Sequence, residues 1–563
     1  MYSDKKIVQI LGEVLKLKSI FNIIISPGSR NAPIIIHFTK NKLFKTYSIV
    51  DERCAGFFAL GMAQQLKKPV IINCTSGSSV VNYYPAVIES FYQNIPIIII
   101  TADRPKEFRT IYDGQSMDQE NIFKKYVEKF VQLTEDESKK GIWYNNKLIN
   151  ESINQCILTN KPVHINIPFS EPLYGITNKI KVHTNTIKTF YTETYIKTKN
   201  QFFVEKKIWN KCKKKMILLG LNNFFNKTEI SKILMKISLD RSIIIFSETT
   251  SKIYGDKFFS NIDQIIYGIN SNKWNKTFKP NILLTIGTNV LSKKIKNLLR
   301  KSPPKYHWHI GDNCKDYPDT YFKLNTYWNI NPEYFFKIIL ENKNFINSNY
   351  QKNWKILINK IMKKQNSFLK KEKNFSDLKA LFFIFSKIPI KSVLQLGNSM
   401  IIRYYQLFNN KRRIDSYCNR GISGIDGSVS TAVGHSLASK KIVTLIIGDI
   451  SFFYDSNALW NNYTPKNFRI ILINNKCGNI FSIISNEKFE KEVFNFFETK
   501  HDLCADKLCE MYKWNYEKVS NLYRLKYILS FFWKKSSHPF LLEVNTKNCK
   551  NAEIFKKFLY SSK

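Results

Sequence analysis

Acidic residues are scarce in this 563-residue chain: 44 Asp and Glu stand against 87 Lys and Arg, a formal charge of +43. That deficit invites a nucleic-acid reading, because clustered Lys and Arg bind phosphate backbones. The lysines here are scattered and come with many Asn and Ile, so the excess reads as a chain-wide compositional bias. Zinc-finger spacing and RNA-recognition signatures are both missing, and no nucleic-acid partner is expected. The ten cysteines include no Cys-x-x-Cys pair, and the nearest two, Cys504 and Cys509, have nothing metal-like beside them. This usage fits a reduced cytoplasmic protein whose thiols act as small buried hydrophobes. No apolar run approaches the roughly 20 residues that span a bilayer. The N-terminus passes straight into an amphipathic pattern (Ile7, Ile10, Leu11, Val14, Leu15) without a signal-peptide layout, so no membrane association is expected.

What is present is an ordinary 44% hydrophobic share on a chain too long for one core. At about 100–200 residues per domain, three domains are expected. The first, 1–172, alternates apolar strands with helical patterns. Ile23-Ile24-Ile25 runs into the turn Ser26-Pro27-Gly28. Pro69–Asn73 and Pro96–Thr101 are further strands, with a helix between them from about Val80 to Tyr92, capped by Gly77 and Ser78-Ser79. From about 173 to 207 the chain is polar and rich in Thr and Lys, a linker. The second domain, 208–342, has strands at Met216–Leu219, Ser242–Phe246, Ile282–Ile286 and Tyr306–Ile310. A Lys- and Asn-rich stretch to about 374 reads as an exposed helical connection. The third domain, 376–563, has strands at Ser392–Leu396, Val443–Ile447, Ile470–Ile473 and Phe540–Val544. Continuous apolar strands separated by helical patterns predict an α/β fold of three doubly wound parallel sheets.

In such sheets ligands bind beyond the carboxyl ends of the strands. Several polar groups fall at those ends: Ser26 to Arg30, Asp103-Arg104, Gly448-Asp449 and Asn474-Asn475. One carboxylate and one amide oxygen suit Mg2+, which prefers octahedral oxygen ligands and shares them with phosphate. The plainer alternative is that Asp449 caps a helix and Asn474-Asn475 makes a turn. Glu52 opens an apolar, small-residue helix, Cys54–Gly61. Partial desolvation there would raise its pKa and suit it to sharing a proton. It also fits as a first-turn glutamate favoured by the helix dipole.

Two sets of motifs carry a resemblance. Ser26-Pro-Gly-Ser-Arg-Asn-Ala-Pro33, Asp51-Glu-Arg-Cys-Ala-Gly-Phe-Phe58, Cys74-Thr-Ser-Gly77 with Asn82-Tyr-Tyr-Pro85, and Thr101-Ala-Asp-Arg-Pro105 form the first. Asn419-Arg-Gly-Ile-Ser-Gly-Ile-Asp-Gly427 and Gly448-Asp-Ile-Ser451 form the second. They resemble the 2-succinyl-5-enolpyruvyl-6-hydroxy-3-cyclohexene-1-carboxylate synthase family of menaquinone biosynthesis, transferases that use thiamine diphosphate. The resemblance spans the first and third regions in order, and the middle region mainly in pattern. It implies the thiamine diphosphate-enzyme fold, with a pyrimidine-binding first domain and a diphosphate-binding third. The implied reaction is decarboxylation of 2-oxoglutarate and addition of the succinyl carbanion to isochorismate. Another thiamine diphosphate-dependent 2-oxo-acid decarboxylase or carboligase is the alternative.

The resemblance also implies roles. Glu52 contacts the aminopyrimidine ring, and Gln115 lies near the reacting centre. Ile425 props the cofactor, with Gly448, Asp449, Ser451 and Asn475 around its diphosphate. Asp449, Asn475 and the main-chain carbonyl of Cys477 ligate Mg2+ or Mn2+. Arg30, Arg104, Arg403, Arg420, Ser399 and the pair Lys293 and Lys294 bind the substrate carboxylates, for which guanidinium is the fitting partner. A solvated charge run is the plain alternative for the lysine pair. Active sites between subunits of a homodimer or homotetramer are implied too. The chain departs from the family pattern at Gly114, where Asn is usual, at Lys294, often Arg, and at Cys477, usually Gly.

Overall fold

The structure is a computed structural model; it describes all residues except 110, 112, 190–201, 223–226, 312–316, 342–345, 409–413, 485–489, 548 and 563. Among the described residues, three six-stranded sheets account for all but two of the strands, and every pairing within the three is parallel. Their inner strands include the apolar runs Ile23–Ile25, Ile97–Ile100, Ile243–Ile245 and Ile470–Leu472, buried because helices cover both faces.

The first sheet runs, edge to edge, Lys45–Ser48, Asn22–Ile25, Val70–Cys74, Ile97–Asp103, Val163–Pro168 and Phe130–Gln132. The third runs Asp415–Tyr417, Val393–Leu396, Val443–Gly448, Phe468–Asn474, Phe540–Asn545 and Asn515–Val519. Numbered along the chain within each sheet, both have the order 2-1-3-4-6-5. The middle sheet has the order 3-2-1-4-5-6, with Lys215–Leu219 beside Ile282–Ile286 at its centre. In the two outer sheets the order reverses between strands 1 and 3, which opens a crevice at their carboxyl ends.

The first and third units share one core. Phe57, Phe58 and Leu60 from helix Glu52–Leu66 pack with Val429, Ala432 and Val433 from helix Ser428–Ala438. Glycine allows the close crossing: a Cβ at Gly61 would lie 1.9 Å from the Thr431 carbonyl oxygen, and one at Gly434 would lie 1.9 Å from that of Phe58.

Three expectations need correction. The helix foreseen from Val80 to Tyr92 is two helices, Ser78–Asn82 and Tyr84–Gln93, and no side chain caps the first. Pro85 is the reason, because it has no N–H and fits only the first turn of a helix. The linker foreseen over 173–207 already holds structure at both ends: Ile176–Thr177 pairs antiparallel with Tyr2–Ser3, and helix Phe203–Lys211 has begun. Its middle, 190–201, lies outside the described residues. The connection foreseen as exposed contains helix Tyr350–Lys371, which buries Tyr350, Trp354 and Ile358 in the middle unit's core with Trp274. A helix is amphipathic, so a lysine-rich composition concealed one apolar face.

Candidate active site

Glu52 is the first residue of its helix, and its neighbours fix where it points. Asp51 caps the helix by accepting from the Cys54 N–H at 3.1 Å, and it also accepts from Asn457 Nδ2 at 2.9 Å. Arg53 donates to the Tyr454 carbonyl at 3.1 Å, lies over the Tyr454 ring and approaches the buried Asp455. Both flanking residues are therefore tied to the third unit. Glu52 faces the other way, half-buried, with Asn82 Nδ2 3.5 Å from Oε2. Its charge is felt by Cys74, which ends the strand Val70–Cys74, and by Tyr83.

Nearby, Arg104 leaves the end of strand Ile97–Asp103 and donates to the Gly114 carbonyl and to Asp113, both at 2.5 Å. Gln115, at φ +57°, donates to the Ser76 carbonyl at 3.2 Å. The loop that carries it is pinned by buried Gln119, which accepts from the Gly77 N–H and donates to the Ala102 carbonyl and Asn166. Arg30 is buried and reaches the Phe169 carbonyl at 2.8 Å and Glu171 at 3.3 Å.

The second half lies at the ends of the third sheet. Gly448 ends strand Val443–Gly448, and a Cβ there would meet nothing within 4 Å. Asp449 begins the next helix with its carboxylate buried, accepting from the N–H groups of Ile450 at 2.8 Å and Lys476 at 2.7 Å. Burial pushes its carboxyl up to about 6, and His501 Nε2 is 3.5 Å away. Asn475 turns its Nδ2 to Asp377 Oδ2 at 2.8 Å, while its Oδ1 lies over the loop that holds Cys477. Burial pushes the Cys477 thiol up to about 12, so it stays neutral; its carbonyl accepts from the Asn479 N–H at 3.0 Å and keeps a second lone pair for a hard ion. A buried carboxylate, an amide oxygen, a carbonyl and open space at Gly448 together fit a divalent oxygen-seeking cation holding a diphosphate. Ser451 Oγ donates to the Ile425 carbonyl at 2.9 Å, and the Ile425 side chain is left 37% exposed.

The remaining cations cluster where the middle and third units meet. Arg420 donates to Asn398 at 3.3 Å, and Asn289 donates to its carbonyl at 3.1 Å. Burial lowers the pKa of Arg403, with Asp263 opposing and Arg420 adding to the effect. The buried Nε atoms of Arg104 and Arg403 have no hydrogen-bond partner among the described residues. Ser399 opens helix Met400–Leu407 at φ +65°. Gln115, Ser399, Ser423 and Lys476 are among the non-glycine residues with positive φ. Lys293 is exposed, and Lys294 lays its ammonium 3.5 Å over the Tyr267 ring.

Sequence reasoning missed four residues here. Lys296 is half-buried, with its pKa lowered by burial and opposed by Glu248, and it is close enough to Arg420 to feel its charge. Glu89, buried in the first unit, accepts from the N–H groups of Gly421 and Ile422, each at 2.7 Å, and so holds the loop between Arg420 and Ile425. Asn398 ties the same loop from below through the Asn419 and Gly424 carbonyls, each at 2.6 Å. Asp377 holds Asn475. Each contact joins residues far apart in the chain, so no local signal marks it.

The sequence model of the thiamine pyrophosphate enzyme, N-terminal TPP binding domain, matches residues 5–125. Among solved structures, benzoylformate decarboxylase from Polynucleobacter necessarius superposes with a TM-score of 0.69 at 14% identity, covering 98% of this chain and 100% of that one, a likeness of fold. Fold and matched domain place the chain among the thiamine diphosphate-dependent enzymes. Proteins named 2-succinyl-5-enolpyruvyl-6-hydroxy-3-cyclohexene-1-carboxylate synthase are similar throughout. The Flavobacterium johnsoniae one is 44% identical, with 99% of both chains covered. The Christiangramia forsetii one is 40% identical with 98% of both covered, and the Bacteroides fragilis one 32% with 100% of both. The chain belongs to the 2-succinyl-5-enolpyruvyl-6-hydroxy-3-cyclohexene-1-carboxylate synthase family and is an enzyme of the transferase type.

Proposed function

We propose that the chain decarboxylates 2-oxoglutarate and adds the resulting succinyl unit to isochorismate, a step of menaquinone biosynthesis, in the cytoplasm. The observation that carries this reading is the similarity along the whole chain to synthases of that name, joined to two half-sites at the strand ends of like-ordered sheets. Thiamine diphosphate, when bound, supplies the electron sink for loss of the carboxylate. Asp449, Asn475 and the Cys477 carbonyl hold Mg2+ or Mn2+ against the diphosphate, with Gly448 and Ser451 beside it. Ile425, whose carbonyl accepts from Ser451 Oγ, would prop the cofactor. Glu52 shares a proton with the pyrimidine ring. Arg30, Arg104, Arg403, Arg420 and Ser399 receive carboxylates of the two substrates, Lys293 and Lys294 add positive charge, and Gln115 orients the reacting carbonyl.

Three domains, 1–172, 208–342 and 376–563, carry this site. A homodimer, or a homotetramer built from it, completes it: the half-buried Glu52 and the exposed Ile425 suit a surface that a second copy covers. No helix among the described residues is long and apolar enough to cross a membrane.

The test is isochorismate consumption with 2-oxoglutarate, thiamine diphosphate and Mg2+, comparing the native chain with Glu52→Gln. Consumption by the native chain and near-complete loss in the variant is the expected result. Carbon dioxide released from pyruvate in preference to 2-oxoglutarate would instead favour another 2-oxo-acid decarboxylase or carboligase.

A further inference from the structure

Asn475 is half-buried between a carboxylate on one side and the loop of Cys477 on the other, and an amide has two chemically different ends. Its Nδ2 lies 2.8 Å from Asp377 Oδ2, and its Oδ1 is directed at the loop, 3.3 Å from the Cys477 N–H. The opposite orientation would set the amide oxygen against the Asp377 carboxylate, two acceptors with no proton between them. It would also aim two N–H donors at the position of a cation. Asp377 cannot yield, because it is fixed from every side. It is the first residue of helix Asp377–Lys387, its own N–H donates to Asn551 Oδ1 at 2.8 Å, and Thr546 Oγ1 donates to its Oδ1 at 2.5 Å. Asn479 adds a further side-chain hydrogen bond. Asp377 is buried, so water does not compete with Asn475 for its carboxylate.

We infer that Asp377 is a positioning residue: it selects the one orientation of the Asn475 amide in which the oxygen can ligate the divalent ion. This rests on the metal reading proposed above. Groups one step behind metal ligands contribute about 10–100-fold in affinity in this way.

The test is Mn2+ binding to the whole protein in the presence of thiamine diphosphate, read from the electron paramagnetic resonance signal of free Mn2+. Asp377→Asn keeps the shape but lets Asn475 turn over, and Mn2+ affinity is expected to fall about 10–100-fold. Asp377→Asn combined with Asn475→Asp reverses the pair, giving a carboxylate ligand held by an amide N–H, and should recover to within about 10-fold of the native chain. Thr546→Val leaves the carboxylate facing Asn475 and should stay within about 3-fold. That variant keeps the inference testable even if Asp377→Asn does not fold, since a loss of about 10-fold or more in it would mark the cluster as merely structural and overturn the inference. Native affinity in Asp377→Asn, or no recovery in the double variant, would overturn it as well. No Mn2+ binding by the native chain would overturn the metal reading itself.

Discussion

Gly61→Ala sets two ordinary effects against each other with opposite signs. Alanine is favoured over glycine inside a helix by about 1 kcal/mol, and Gly61 lies inside the helix that begins at Glu52. On propensity alone the variant would be more stable. The structure predicts the reverse. The added Cβ would sit 1.9 Å from the Thr431 oxygen, 2.7 Å from its carbonyl carbon and 2.9 Å from the His435 nitrogen. All three are backbone atoms, so no side chain can swing aside. Reaching ordinary contact requires the two helices to part by about 1.5 Å, and overpacking of this kind costs typically 1–3 kcal/mol, occasionally more. Gly434 meets the Phe58 carbonyl on the same crossing, so the strain has no free side to move into. The net expectation is a loss of about 1–2 kcal/mol, and a thermal transition lower by about one to two degrees. Because Glu52 and the Arg53 contact with Tyr454 sit at one end of the displaced helix, thiamine diphosphate affinity should fall as well. Differential scanning fluorimetry and isothermal titration of thiamine diphosphate read both. A transition at or above the native one, with unchanged cofactor affinity, would refute the close crossing.

Three further outcomes are expected. Glu89→Gln replaces an acceptor of two backbone N–H groups with a side chain that can serve only one, a loss of about 1–3 kcal/mol; the loop between Arg420 and Ile425 loosens, and steady-state kinetics should show a rise in KM for the carboxylate substrates. Burial raises the carboxyl of Asp455 to about 7 from 3.8, so between about pH 4 and 7 the folded chain holds a proton that the unfolded chain has released. Folding stability should therefore decline as pH rises through that window; Asp449 and Asp377, raised to about 6, add the same sign in the metal-free protein, and Asp455→Asn should flatten the dependence of the thermal transition on pH. Gly114→Asn should fold normally, since a Cβ there meets nothing within 4 Å; a thermal transition lowered by several degrees would count against the open space at that position.

The strands and much of the site's address are legible along the chain. Runs such as Ile97–Ile100 and Ile470–Leu472 have no polar face, so they can only be strands covered on both sides or buried helix, and their shortness decides for strands. A parallel sheet puts its functional groups just after such runs, which is why Arg104, Asp449 and Asn475 could be picked out along the chain. Pro85 could have shown that the helix breaks. The relations between distant segments are set by the folded packing. Strand order is one, because apolar runs do not encode which neighbour they choose. The pairings of Asp377 with Asn475, Glu89 with the Gly421 N–H and Lys294 with the Tyr267 ring are others. Asp377 reads along the chain as a first-turn acid that suits a helix dipole, and Glu89 as one polar residue of an amphipathic helix. Their roles arise from burial against partners 98 and 332 residues away, a property of the folded packing and not of any local window.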